Sequence, residues 1–171
     1  ILTDGIMGQM MEKVTLPPFQ PRRTEEELVA ECPWAASGRK AGRKPNIISS
    51  LELDPAKMEE RNLSLQAKYQ QIEANEVRYE EFLCDDAEYL LIAFGSAARI
   101  CQKTVEIARA EGIKVGLLRP ISLWPFPTQA IAAYANRVKG MLSVELNAGQ
   151  MVEDVRLAVE GTVNVAHFGR L

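Results

Sequence analysis

From residue 86 onward the chain alternates three times between a short apolar run and an amphipathic stretch, and it ends on an apolar run. "EYLLIAFGS" opens the series with eight consecutive residues free of charge, the pattern of a strand covered on both faces. "SAARICQKTVEIARAEG" follows with helical spacing. Ser96 is placed to cap it, Ile100, Val105, Ile107 and Ala108 form its apolar face, and Gly112 is suited to close it. "IKVGLLRP", "GMLSVEL" and "TVNVAHFG" read as further strands, with "PTQAIAAYANRV" and "GQMVEDVRLAVEG" as helices between them. Parallel strands joined through helices cross over right-handedly. The expected fold is therefore α/β, with a mostly parallel sheet of at least four strands sandwiched by helices.

The first half has a different character. "ILTDGIMGQMMEKV" reads as the end of a buried strand running into an amphipathic helix. A chain that opens on Ile1 in the last turn of a strand is expected to be a piece of a longer polypeptide. Prolines 17, 18 and 21 lack amide donors and pin the chain extended. Residues 17–50 then read as a connector, with a capped helical turn at Thr24; Phe19 and Trp34 suggest that it is pinned to a surface. Asp54 followed by Pro55 is a strong helix start. A long polar helix is expected from there to about residue 81, with Met58, Leu65, Ile72 and Tyr79 recurring every seventh position. Arg61 and Lys68 occupy the second seam position, so a freestanding coiled coil is disfavoured and a narrow docking stripe is the better reading. The domain division that follows is 1–16, 17–85 and 86–171.

Composition excludes several functions. A net charge of −3 provides no broad basic field, and the one dense basic run, "GRKAGRK", is short and glycine-bearing, so nucleic acid is a poor candidate partner. Cys32, Cys84 and Cys101 are odd in number, widely spaced and accompanied by His167 alone, which fits neither a zinc site nor an iron–sulfur cluster. A reducing cytoplasm is the simplest home. No apolar run approaches the ~20 residues a membrane helix needs, and "NLS" at Asn62 is a sequon without evidence of secretion.

In doubly wound sheets the functional positions lie at the carboxyl ends of strands, where helix amino termini converge. Three such loops are distinctive. "FGSAAR" places Gly95 and Ser96 at a helix start, suited either to an anion or to ordinary capping. No dinucleotide or P-loop glycine pattern accompanies it. "VELNAGQ" places Glu145 at a strand end, with Asn147 and Gln150 on the turn. The carboxylate could have a raised pKa and serve as acid or base, or could satisfy loop amides. "RPISLWPFP" holds Arg119, Trp124 and Phe126 in a corner stiffened by Pro120, Pro125 and Pro127, so that the aromatics are presented at little entropic cost. His167, in the last strand with no adjacent nucleophile pattern, reads as a packed or interface histidine.

The runs "ILTDGIMGQMMEKVTLPP", "LIAFGSAARI", "GIKVGLLRPISLWPFP" and "SVELNAGQMVEDVRLAV" resemble the α subunit of 2-oxoacid:ferredoxin oxidoreductases of the 2-oxoisovalerate (branched-chain) or 2-oxoglutarate type. Leu118, Arg119, Leu123, Pro125, Val144, Glu145 and Gly149 also fit the pattern shared with the carboxyl-terminal domain of transketolases and the β chains of 2-oxoacid dehydrogenases. The resemblance implies the tail of a pyrimidine-side thiamine-binding domain, a connector, and a transketolase-like carboxyl-terminal domain. It implies an enzyme that decarboxylates a 2-oxoacid on thiamine diphosphate and magnesium, passes electrons through iron–sulfur clusters to ferredoxin, and makes acyl-CoA from coenzyme A. Its expected partners are the β, γ and ferredoxin-like subunits of the same enzyme. No catalytic, cofactor-binding or metal-binding residue carries over to this chain, which alone is expected to be inactive. Gly95, Ser96, Arg119, Trp124, Phe126, Glu145, Asn147 and Gln150 are the expected interface or active-site border. The competing reading is a stand-alone α/β module that binds an anion or nucleotide.

Overall fold

The computed structural model describes residues 5–11, 13–20, 23–32, 34 and 49–171. It divides into two compact units, one built on Leu65–Leu171 and the other on Gln9–Ser64.

In the smaller unit a short helix, α1, spans Glu25–Glu31. Its start is a reciprocal cap: the Thr24 hydroxyl accepts from the Glu27 amide at 3.2 Å, and the Glu27 carboxylate accepts from the Thr24 amide at 2.8 Å, satisfying two amides that a helix end otherwise leaves open. Phe19 and Trp34 are both exposed. At the front of the chain Gly5–Gln9 forms a 3-10 helix instead of the amphipathic α-helix expected, and Met10 and Met11 beyond it face solvent. The expected strand end at residues 1–4 lies outside the described residues.

A long helix, α2, covers Pro55–Asn75. Asp54 caps it as expected, its Oδ1 accepting from Ala56 at 3.0 Å and from Lys57 at 3.4 Å. The helix ends six residues earlier than the seven-residue repeat suggests. Tyr79, the fourth member of that repeat, opens a strand instead: β1, Tyr79–Phe82. Charged residues on that strand hide it from pattern reading, yet it pairs antiparallel with residues 117–120.

The alternation from residue 86 folds as expected. β2 (Tyr89–Ala93), β3 (Val115–Pro120), β4 (Gly140–Glu145) and β5 (Val165–Gly169) alternate with α3 (Gly95–Ala110), α4 (Thr128–Ala132) and α5 (Met151–Val159). The sheet order is β1-β3-β2-β4-β5, with β2 parallel to both β3 and β4, and β4 parallel to β5. Leu90 and Ile92 of β2 point to one face, where they pack with Leu118, Ile131, Tyr134, Val155 and Val159. Leu91 and Ala93 point to the other, against Ala97, Ala98, Cys101 and Val105 of α3. Helices thus cover both faces of β2, which is why Leu90–Ala93 is apolar throughout.

Three local expectations fail in whole or in part. Of the expected α3 face, Val105 is buried and Ala108 packs on the core, but Ile100 and Ile107 are exposed and Ala97, Ala98 and Cys101 take their place. Small residues let the helix lie close to the sheet, and this displaces the bulkier stripe outward. Ser96 does not cap α3: Phe94 is the residue at the cap position, and no side chain closes it. α4 is a little over one turn, since residues 133–137 continue as turns.

Candidate functional site at the carboxyl ends of the strands

The strand order reverses between β2 and β4: the chain goes from β2 to β3 on one side, then returns to place β4 on the other. Crevices at such reversals are the usual ligand positions of open α/β sheets. Gly95 and Ser96 sit at the end of β2, and Glu145, Asn147 and Gln150 at the end of its neighbour β4.

Glu145 is the best-defined residue here, only 1% exposed. Its Oε2 accepts from the amides of Gln150 (3.1 Å) and Met151 (2.9 Å), and its Oε1 accepts from the Val152 amide (2.9 Å) and the Ser143 hydroxyl (3.1 Å). The carboxylate therefore caps α5 from a neighbouring strand, where its negative charge also meets the positive end of the helix dipole. Burial pushes the Glu145 carboxyl up, but the amides of Met151, Gln150 and Val152 and the Asn147 side chain outweigh that effect and hold it below its ordinary value. The raised pKa considered from sequence is thus overturned: hydrogen bonds to the charged form win over desolvation. An anchored, ionised carboxylate is a poor acid at neutral pH.

Asn147 folds the loop on itself, its Oδ1 accepting from the Gly149 amide at 2.7 Å. Gly149 has φ +106, which favours glycine. Gln150 is exposed.

Ser143 and His167 join this cluster. They face each other across β4 and β5, and His167 Nε2 lies 3.8 Å from Glu145 Oε1. Serine, glutamate and histidine are the residue types of a hydrolytic triad, but the connections differ. The serine hydroxyl bonds the carboxylate instead of the imidazole and is fully buried, so nothing activates it or exposes it to substrate. The alternation of β4 puts Ser143 on the same face as Glu145, a signal present in the sequence itself.

Arg119 stands apart. It is exposed on β3 and bonds Glu80 across the β1–β3 ladder at 2.9 Å, on the far side of β2 from Glu145. Within this chain it makes a cross-strand pair.

The corner after β3 is tied by Ser122. Its hydroxyl accepts from the Arg78 amide at 2.9 Å and donates to the Pro125 carbonyl at 2.8 Å. Trp124 is 56% exposed, with its ring edge-on to Tyr69 at 5.6 Å between centroids. Phe126 turns inward and packs on the core, so the two aromatics part company: one is presented to solvent and the other anchors the corner. A groove of about 690 Å³ separates the corner from the end of α2, lined by Glu73, Val77, Tyr79, Trp124, Pro125 and Thr128 among others.

Among the described residues no group of three or more His, Cys, Asp or Glu side chains is placed to hold a metal ion. Cys84 and Cys101 pack on opposite faces of the sheet, which prevents them from sharing one cluster. Burial pushes both thiols up, Cys101 to about 11, whereas cluster ligands must be thiolates. No described helix is long and apolar enough to cross a membrane.

Residues 87–170 match the family model of pyruvate:ferredoxin oxidoreductase core domain II. The ketoisovalerate oxidoreductase subunit VorB of Methanothermobacter thermautotrophicus is 47% identical over 161 residues, which cover 92% of this chain and 43% of that protein. The 2-oxoglutarate synthase subunit KorA of Archaeoglobus fulgidus is 29% identical over the full length of this chain and 48% of its own. The chain therefore spans less than half the length of these relatives. Among solved structures, the 2-oxoglutarate:ferredoxin oxidoreductase from Magnetococcus marinus superposes with a TM-score of 0.60 at 21% identity, over 70% of this chain and 21% of that one. At that identity the likeness concerns the fold.

Proposed function

We propose, from the premise that residues 87–170 belong to the pyruvate:ferredoxin oxidoreductase core domain II family, that this chain is the carboxyl-terminal part of the α subunit of a cytoplasmic 2-oxoacid:ferredoxin oxidoreductase. The reaction is oxidative decarboxylation of a 2-oxoacid to an acyl-CoA, with 2-oxoisovalerate as the substrate. The observation that carries this reading is the 47% identity to a ketoisovalerate oxidoreductase subunit across 92% of the chain.

Within that enzyme the chain's part is structural. Cys84 and Cys101 pack on opposite faces of the sheet, which does not suit a shared iron–sulfur cluster; in this reading thiamine diphosphate, its metal and the clusters are assigned to the enzyme's other parts. Glu145 fixes the loop at the end of β4, and the exposed Trp124 edge offers a preformed surface to the β, γ and ferredoxin-like subunits. Domain limits of 1–16, 17–85 and 86–171 belong to the same reading. A stand-alone anion-binding module is less well supported, because the Glu145 carboxylate already occupies the amino end of α5.

The test is to tag the protein in its source cells, purify what comes with it, and assay CoA-dependent reduction of a viologen dye. Activity with 2-oxoisovalerate, absent from the isolated chain, is expected. Activity confined to 2-oxoglutarate would overturn the substrate, and a purified complex inert to all 2-oxoacids would overturn the enzyme class.

A further inference from the structure

The Nε2 atom of His167 is shut off from solvent and has no hydrogen-bond partner, although Glu145 Oε1 is only 3.8 Å away. Counting acceptors accounts for this. An ionised carboxylate offers about four lone-pair positions; Glu145 fills them with Gln150, Met151, Val152 and Ser143, and the Asn147 side chain is drawn to it as well. The ring cannot back away freely, because the chain closes around it: a Cβ on Gly169 would lie 2.7 Å from its Cε1, and one on Gly149 would lie 3.3 Å from the same atom.

We infer that His167 and Ser143 compete for one acceptor position on Glu145, so that protonation of His167 exchanges the Ser143–Glu145 bond for a His167–Glu145 ion pair at the start of α5. Protonation places a hydrogen on Nε2 whichever tautomer precedes it. Of the four donors on Glu145, three are helix-start amides fixed by the backbone. The fourth, Ser143 Oγ, is a neutral hydroxyl that can rotate away, and a charge-assisted bond is roughly twice as strong as a neutral one.

The surroundings leave Glu145 as the charge that an imidazolium would meet. From β4 the ring faces Ser143 and Glu145. α5 offers its first-turn amides and the Val152 side chain, while its Glu153 and Asp154 are exposed. On β5 itself, Arg170 is turned over the Phe168 ring at 6.0 Å. The positive end of α5 opposes a cation here, and the ionised carboxylate favours it. Glu145 holds its charge below the ordinary carboxyl range, so the group facing the ring is an anion there. The device belongs to this loop's geometry and does not depend on the reaction proposed above.

The sequence contains a single histidine, so its ring signals in nitrogen-15 NMR need no assignment. We would titrate the protein and its S143A and H167Q variants, following the ring together with the amides of Gln150, Met151 and Val152. The three amides are expected to shift with the same midpoint as the ring, and to lose that shift in H167Q. In S143A, where the acceptor position is vacant, the ring is expected to titrate at higher pH than in the parent. Amides that ignore the ring, that move equally in H167Q, or a ring midpoint unchanged by S143A would each overturn the inference.

Discussion

Glu145 links one strand to one helix through a single side chain, and its replacement is correspondingly informative. In E145Q one oxygen remains to accept from four donors, and the negative charge is gone. Hydrogen bonds to charged groups contribute about 1.5–3 kcal/mol each when removed singly, so a loss of at least ~2 kcal/mol is expected in urea denaturation. The loss has a definite pH dependence. A carboxyl whose folded pKa lies below its unfolded one binds fewer protons in the native state, so it stabilises the fold fully above its ordinary value of 4.5. That contribution vanishes as pH falls through the lowered folded value. The gap in stability between parent and E145Q should therefore be full at pH 7 and close as the solution is acidified. A gap independent of pH would show that shape rather than charge is what α5 needs.

At the scale of elements, β3 depends on one missing side chain. A Cβ on Gly116 would come within 2.8 Å of the Leu83 carbonyl oxygen and 3.0 Å of the Cys84 Cα, both backbone atoms with little room to yield. G116A should cost about 1–3 kcal/mol, the usual range for overpacking, measurable as a lowered denaturation midpoint. The same scale shows what the sequence reveals and what it hides. β2 through β5 are legible because each carries a short apolar run followed or preceded by a helical stretch, clearest in β2, which is covered on both faces. β1 is hidden because an edge strand carries charge: Glu80 pairs with Arg119, and the four-residue segment is too short to show alternation. The α3 face is misread because alanines, which carry little hydrophobic weight in a pattern, are the residues that touch the sheet. At the candidate site, the sequence gives the position of Glu145 but not its charge state, which depends on amides five to seven residues later curling back over it. Phe126 and Trp124 look alike as neighbours of proline; only the course of the corner sends one inward.

For the molecule as a whole, the three cysteines report on how completely the larger unit is closed. Cys84 and Cys101 are buried and Cys32 is partly exposed. Burial raises the thiol pKa of the first two, and only thiolates react readily. One thiol per chain should react promptly with a disulfide reagent in native buffer and three in denaturant, counted by the chromophore released. Prompt reaction of Cys101 would mean that α3 lifts from the sheet easily. Assembly gives a second whole-molecule prediction, tied to the proposed function. W124A removes a largely exposed ring, so it should change the chain's own stability by no more than about 0.5 kcal/mol. If this edge is an interface anchor worth ~2 kcal/mol, recovery of partner subunits should weaken about 30-fold. Unchanged recovery would place the contact surface elsewhere.

The antiparallel strand β1 also has a consequence in time. Glu80 meets Arg119 across 39 positions of sequence, and at a synthesis rate of ~5–20 residues per second the second of them follows the first by about 2 to 8 s. For that interval Tyr79–Phe82 has left the ribosome without a ladder to join. Its two glutamates are then useful for a different reason: they keep a waiting strand from pairing with the wrong edge.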